Sequence, residues 1–249
     1  MKRKPGSKKL ELSESPYRDL EFLESVEGRT LRILSEYVWP MARLEKQKVD
    51  STILFLGSAK ASPASSDSIL YKYYWEAEEL AYRITKWGMT LKPRGRKYVV
   101  CTGGGPGIME AANRGASRAG GKSIGMNISL PQPQPANTFI SPDLCFTFHY
   151  FFMRKFWLMY KAKAVIAFPG GFGTLDEFFE IITLLQTGKV SQKEVLLILY
   201  GKDYWEKVIN FQALVNFGAI TREDLNLFTI CSAPEQTFNF LKKKLPEMN

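Results

Sequence analysis

AVIAFPGGFGTLDEFFEII, residues 164–182, is the stretch whose reading decides the fold. AVIAF (164–168) is a short, wholly apolar run, the composition of a strand covered on both faces. PGGFGT (169–174) is a glycine turn, and LDEFFEII resumes at helical spacing. A strand, a glycine turn and a helix in that order form half of a βαβ unit. The turn brings the unpaired N–H groups of a helix start to the end of a parallel strand.

The same grammar recurs on either side. YVVCT (98–102) leads through GGGPG (103–107) into IMEAANRGA (108–116). Further apolar runs stand at 52–57 (TILFLG), 123–128 (SIGMNI) and 195–200 (VLLILY). Helical stretches are expected over 69–87, 108–119, 150–161, 175–187 and 204–216. The alternation predicts an α/β fold: a doubly wound parallel sheet with helices on both faces. Ahead of it, residues 17–48 predict an extra N-terminal helix, with Leu31, Leu34, Val38 and Met41 along one face. Pro40 marks a kink or break in it. Residues 1–15 read as a disordered basic tail and 16–249 as one domain. PQPQPAN (131–137) reads as an exposed connection.

Composition narrows the class. Of 249 residues, 45% are hydrophobic and 24% charged, ordinary for a globular chain. No apolar run reaches the roughly 18 residues of a membrane span. The start, MKRKPGSKKLELSESP, lacks the apolar core of a secretory signal. Cys101, Cys145 and Cys231 are odd in number and widely spaced, as reduced thiols are. A cytoplasmic protein is expected, with no membrane partner. The net charge of +9 is unevenly spread: +5 falls in the first nine residues, leaving +4 for the rest. A short basic tail is a solvated end, so no specific nucleic-acid partner is expected.

The two glycine loops point to an anionic ligand. G-x-G-x-x-G fails because Ile108 stands at its last position. The Walker-like ASRAGGKS (116–123) ends a helix and starts a strand, the reverse of a phosphate loop, and Gly120 reads as a helix C-cap. His149 is the one histidine, and no Cys-x-x-Cys occurs, so no metal site is expected. His149 reads as a strand-end core or hydrogen-bonded residue. No G-x-S-x-G elbow is present.

Asp176, Glu177 and Glu180 fall in the first turns after the second loop. They either complement the helix dipole or set a carboxylate against a bound sugar, where cleavage of an N-glycosidic bond builds positive charge. Periodicity puts Glu177 and Glu180 on one face with Asp176 pointing elsewhere, and does not choose among them. Arg154 and Lys155 sit in the apolar run YFFMRKFWLMYK (150–161), where a basic pair either snorkels to the surface or faces an anion.

GGGPGIMEAANRGA (103–116), FFMRK (151–155) and PGGFGTLDE (169–177) together resemble the LONELY GUY family, also described as possible lysine decarboxylases. FLGSA (55–59) resembles that family's first phosphate-side loop, and the extra N-terminal helix resembles its longer members. The resemblance implies a Rossmann-like homodimer that needs no cofactor. It would hydrolyse purine nucleoside 5′-monophosphates, including cytokinin riboside 5′-monophosphates, with this small-molecule nucleotide as its partner. Arg154 and Glu177 correspond to the family's catalytic arginine and glutamate. Gly170, Gly171, Gly173 and Thr174 correspond to its phosphate loop, with Ser58 nearby and Gly104 and Gly105 in the first glycine loop. Glu110 either contacts ligand or is a first-turn acid. Shorter members carry His-Glu before the Arg-Lys pair, where this chain has Phe152-Met153. A lysine Schiff base with pyridoxal phosphate finds no support in these motifs. The alternative, from a different class, is a sensor or carrier of a nucleotide-derived ligand on the same fold.

Overall fold

β-Branched and apolar runs alternate with helices through the chain because each strand must be covered on both faces. The computed structural model, which describes residues 14–91, 97–132 and 135–248, carries that alternation into one parallel sheet. In chain order the elements are α1 (Leu20–Glu24), α2 (Arg29–Lys46), β1 (Thr52–Leu56), α3 (Tyr71–Thr90), β2 (Val99–Thr102), α4 (Ile108–Arg118) and β3 (Ser123–Ile128). They continue with β4 (Cys145–Phe148), α5 (Phe151–Tyr160), β5 (Ala162–Ala167), α6 (Phe172–Gln186), β6 (Leu196–Tyr200), α7 (Lys202–Val208), α8 (Phe211–Asn216), β7 (Thr229–Cys231) and α9 (Pro234–Lys244).

The seven strands lie in the order β4-β3-β2-β1-β5-β6-β7, every neighbour parallel. This is the Rossmann-like doubly wound sheet expected. Alternate residues of each strand enter opposite layers. Ile53 and Phe55 pack with Tyr74, Ala111 and Leu241 beneath α3, α4 and α9. Leu54 and Leu56 pack with Leu44, Trp157, Phe178 and Trp205 beneath α2, α5, α6 and α7. The chain order reverses between β1 and β5, the switch point outside which ligands bind in open α/β sheets.

Several expectations change. Strands β4 and β7 and helix α9 were not read from the sequence; β4 and β7 are four and three residues long, too short for periodicity to register. The 204–216 stretch divides into α7 and α8. In the N-terminal region the break falls before Gly28, not at Pro40. Pro40 is buried inside α2, and its missing N–H costs the helix only the bond to the carbonyl of Glu36. That carbonyl instead accepts from the Trp157 indole at 2.8 Å. Leu31, Leu34 and Val38 do not face the core: they are 44%, 53% and 52% exposed. Ile33, Met41 and Leu44 make the contact instead. Apolar residues at three- and four-residue spacing occur on two overlapping faces of α2, and only packing selects one. The basic tail lies outside the described residues up to residue 13, as do residues 133–134 of the proline-rich connection. Among the described residues no helix is long and apolar enough to cross a membrane.

Gly120 caps α4 as expected, with φ +78° and nothing within 4 Å of an added Cβ. Gly107 has a similar φ, +71°, but an added Cβ would strike the Ser58 carbonyl oxygen and lie 2.7 Å from the carbonyl carbon of Ala59. Gly120→Ala should therefore cost about 1 kcal/mol of left-handed strain. Gly107 has ψ −131°, far from the left-handed helical well, so Gly107→Ala combines a costlier backbone strain with a backbone collision and should cost at least about 2 kcal/mol more. Urea denaturation of the two variants measures the difference.

Candidate active site

Three loops meet at the switch point because their main chains are tied together. The Ser58 N–H donates to the Pro169 carbonyl at 3.0 Å, and the Ser58 carbonyl accepts from Ile108 N at 3.0 Å. Ser58 thereby joins the loop after β1 to the loops that open α6 and α4. The approach leaves no room for side chains. A Cβ on Gly57 would press on Ile108, and one on Gly170 would overlap the Thr174 hydroxyl. Neither α4 nor α6 has a side-chain cap, and Gly107 and Gly171 stand at their N-caps. The first N–H of α4, that of Ile108, is taken by Ser58; both helix starts lie at the crevice at the carboxyl ends of the strands, with open space over Gly171 and Gly173. Helix α6 starts at Phe172, so Gly173 and Thr174 belong to its first turn and not to the loop.

The first glycine loop is held from the far side by a residue the sequence reading did not single out. Asn137, at the end of the proline-rich connection, donates through Nδ2 to the carbonyls of Gly104 (3.1 Å) and Gly105 (3.0 Å) and to Asn113 Oδ1 (2.9 Å). Asn113 and Thr102, both fully buried, complete the network: Thr102 Oγ1 donates to Asn113 Oδ1 at 2.7 Å and accepts from Gly104 N at 3.0 Å. Drawing the carbonyls inward commits this loop's shape. Asn137 follows PQPQPA in a segment with no periodicity, so only its partners identify it.

Arg154 and Glu177 come together. Arg154, in α5, donates from Nη1 to Glu177 Oε1 of α6 at 2.9 Å and from Nε to the Met126 carbonyl of β3 at 2.7 Å. Their side chains are only 12% and 14% exposed. The guanidinium lies beside Gly103, where an added Cβ would collide with it and come within 2.8 Å of Met109 Sδ. Burial pushes the Glu177 carboxyl above its ordinary value, and Arg154 pulls back against that rise without cancelling it. Cys101 sits close enough to feel both charges, but burial pushes its thiol up to about 12, so it is no thiolate nucleophile.

Lys155 is turned the other way. Its ammonium reaches Asp176 at 2.7 Å and Glu180 at 3.3 Å. Burial lowers its proton affinity, yet the two carboxylates outweigh this and hold the pKa above the ordinary lysine value. Glu177 and Glu180 do line one small cavity beside Lys155, but Asp176, expected to point elsewhere, joins Glu180 on that lysine. Asp176 and Glu180, four apart, serve Lys155, and Glu177 alone meets Arg154. Glu110 accepts from the Tyr74 hydroxyl of α3 at 2.7 Å. His149 is exposed rather than in the core; its main-chain N–H donates to Glu36 at 2.7 Å. Clefts of about 410 and 490 Å³ open at the opposite, amino ends of the strands, around Tyr98 and Lys122 and around Tyr160 and Lys189. Gly120 and Gly121 in the first cleft close a helix instead of opening one, and among the described residues no helix start lines either cleft, so the crevice at the switch point is the candidate.

A protein-family model described as "Possible lysine decarboxylase" matches residues 109–241, more than half of the chain. A probable cytokinin riboside 5′-monophosphate phosphoribohydrolase of Oryza sativa subsp. japonica is 29% identical over 160 residues, which are 64% of this chain and 57% of that protein. The match therefore spans less than two thirds of the relative's length. Among solved structures, a molybdenum cofactor carrier protein of Chlamydomonas reinhardtii superposes with a TM-score of 0.51 at 20% identity, over 79% of this chain and 99% of that one. A molybdenum cofactor binding protein of Rippkaea orientalis gives 0.50 at 22% identity, over 77% and 94%. These structures share the fold.

The raised Glu177 pKa has a consequence for stability. The folded chain binds this proton more tightly than the unfolded one, so the contribution is full below the unfolded value, about 4.3, and is lost as pH rises through the folded value. Glu177→Gln cannot titrate. Wild type should therefore lose stability relative to Glu177→Gln as pH rises from about 4 through the raised folded-state value. Denaturant midpoints of both proteins across that range provide the measurement.

Proposed function

The chain belongs to the family described as possible lysine decarboxylases, the LONELY GUY family, and from that premise we propose that it hydrolyses the N-glycosidic bond of purine nucleoside 5′-monophosphates. The observation that carries this reading is the buried Arg154–Glu177 pair at 2.9 Å beside two uncapped glycine-loop helix starts. The N–H groups around Gly170, Gly171, Gly173 and Thr174 bind the 5′-phosphate, with Ser58, Gly104 and Gly105 in the adjoining loops. Glu177 faces C1′ of the ribose. A carboxylate whose proton affinity is raised is the better base, and its negative charge stabilises oxocarbenium character at C1′. Water supplies hydroxide to C1′ as the C1′–N9 bond breaks. Glu177 takes the water proton and releases it to solvent, while the departing base leaves with the bond's electron pair and takes up one proton from solvent. Ribose 5-phosphate and free base are the products. Arg154 orients Glu177 and the substrate.

The decarboxylase description fits poorly. A Schiff-base lysine must lose its proton, and Asp176 and Glu180 hold the Lys155 proton in place. We also propose a homodimer in the cytoplasm. Tyr37 and Phe156 are each 38% exposed with their rings 5.6 Å apart, and Tyr160, beside Phe156, is 49% exposed, an aromatic surface suited to a second copy. The carrier reading remains the second one. It is favoured only if AMP binds and is never turned over.

Purified protein should release adenine and ribose 5-phosphate from AMP, while adenosine should be nearly inert. Losing two charge-assisted bonds of roughly 1.5–3 kcal/mol each lowers kcat/KM by about 10² to 10⁴. Comparable kcat/KM for adenosine and AMP would mean that the glycine loops bind something else. Glu177→Gln should bind AMP normally and lose at least about 100-fold in kcat, on the order of 3 kcal/mol. Arg154→Ala should be as damaging and Lys155→Ala less so; the reverse ranking would assign the chemistry to the wrong member of the basic pair.

A further inference from the structure

Helix α5 carries Arg154, yet its start is held by a residue from outside the family-matched region. Glu36, in α2, accepts from His149 N through Oε1 at 2.7 Å and from Tyr150 N through Oε2 at 3.3 Å. They are the amide of Tyr150, the N-cap of α5, and that of His149 just before it. The same residue also accepts the Trp157 indole on its main-chain oxygen, freed because Pro40 has no N–H to offer it. One residue of α2 thus grips the chain at the N-cap of α5 and the helix again two turns on, with Arg154 between the two points. Arg154 is itself tied by its own N–H to the Tyr150 carbonyl at 3.1 Å. A carboxylate at this end also complements the α5 dipole.

We infer that Glu36 is a positioning residue for Arg154: through the first turn of α5 it sets the guanidinium against Glu177. The inference rests on the reading of Arg154 and Glu177 as the reacting pair. Loosening α5 moves Arg154 away from Glu177, whose proton affinity Arg154 holds down. The other groups felt by Glu177 are Asp176 on its own helix, which raises its pKa, and Lys155 on α5, which lowers it. Cys101 of β2 stays neutral, and Glu36 is not among the groups that shift Glu177 directly. A change at Glu36 therefore reaches Glu177 by way of α5.

The test uses the full chain and two readouts, the carbon-13 titration of the Glu177 carboxyl and the pH profile of kcat for AMP. Glu36→Ala should raise the Glu177 pKa and move the acid limb of kcat upward, toward the behaviour of Arg154→Ala. It should lower kcat by at least about tenfold while changing KM less than about threefold, as misplacement of a reacting group does. Glu36→Gln, which keeps one acceptor oxygen, should recover part of both effects, and it carries the test if the alanine variant does not fold. Arg29→Ala removes a different α2–α5 contact, the guanidinium 5.8 Å from the Tyr150 ring centroid, and should leave both readouts at wild-type values. A Glu36 variant that melts earlier but keeps the wild-type Glu177 titration and kcat would overturn the inference, as would equal effects from Arg29→Ala. The hydrolase reading fails separately, if Arg154→Ala and Glu177→Gln retain turnover or wild type shows none. The titration still decides the role of Glu36 in that case.

Discussion

A carboxylate and a guanidinium held 2.9 Å apart, both largely withdrawn from water, form the constraint around which the rest of this site is arranged. Such a pair is not a device for stability. Desolvating both charges costs several kcal/mol, and their attraction returns this only where every remaining polar atom is also satisfied. Here the third group is the Met126 carbonyl, which takes the Arg154 Nε proton. The three partners come from α5, α6 and β3, so the pair exists only if both helices lie at one depth and angle on the sheet. Glu36 and the Trp157 indole fix that angle on the α5 side, and burial of Phe178 against Trp205 fixes it on the α6 side.

The second constraint is closeness of backbone. At Gly57, Gly107 and Gly170 the loops after β1, β2 and β5 approach until a single added carbon would collide. Glycine there permits more than a tight turn. It allows three main chains to share one crevice, so the lining is made of peptide N–H groups aimed by helix starts. Main-chain donors cannot swing away when a ligand leaves, which is the preorganisation that stabilisation of an anion requires. Asn137 and the Asn113–Thr102 network supply the opposite half by holding the carbonyls of the same loop inward.

Adjacent basic residues show how helix geometry sorts charge. Arg154 and Lys155 are one residue apart, so their side chains leave α5 about 100° from each other. Arg154 enters the groove toward β3, and Lys155 emerges beside Asp176 and Glu180. The outer cluster keeps Lys155 protonated and occupied. Its carboxylates, being matched there, do not compete with Glu177 for the guanidinium.

The fold class and the two helix-start loops were readable without coordinates. Period-two and period-3.6 burial imprints apolar residues locally, and glycine is the one residue that tolerates such turns. Arg154 and Glu177 were nameable only through the resemblance of FFMRK and PGGFGTLDE to a family, since spacing did not choose among Asp176, Glu177 and Glu180. Which of the three meets Arg154 was decided by tertiary structure alone, because it depends on which carboxylate faces a helix 23 positions earlier in the chain. The same holds for α2. Its sequence offers Leu31, Leu34 and Val38 as an inner face, yet packing against α5 turns them to solvent and brings Glu36 inward. Short β4 and β7, the grip of Glu36 on residues 113 and 114 positions away, and the Asn137 clamp were likewise decided by the fold. Local periodicity records how much of a residue is buried. It carries no record of the partner, because partners in a parallel sheet are set by crossovers that join segments far apart in the chain.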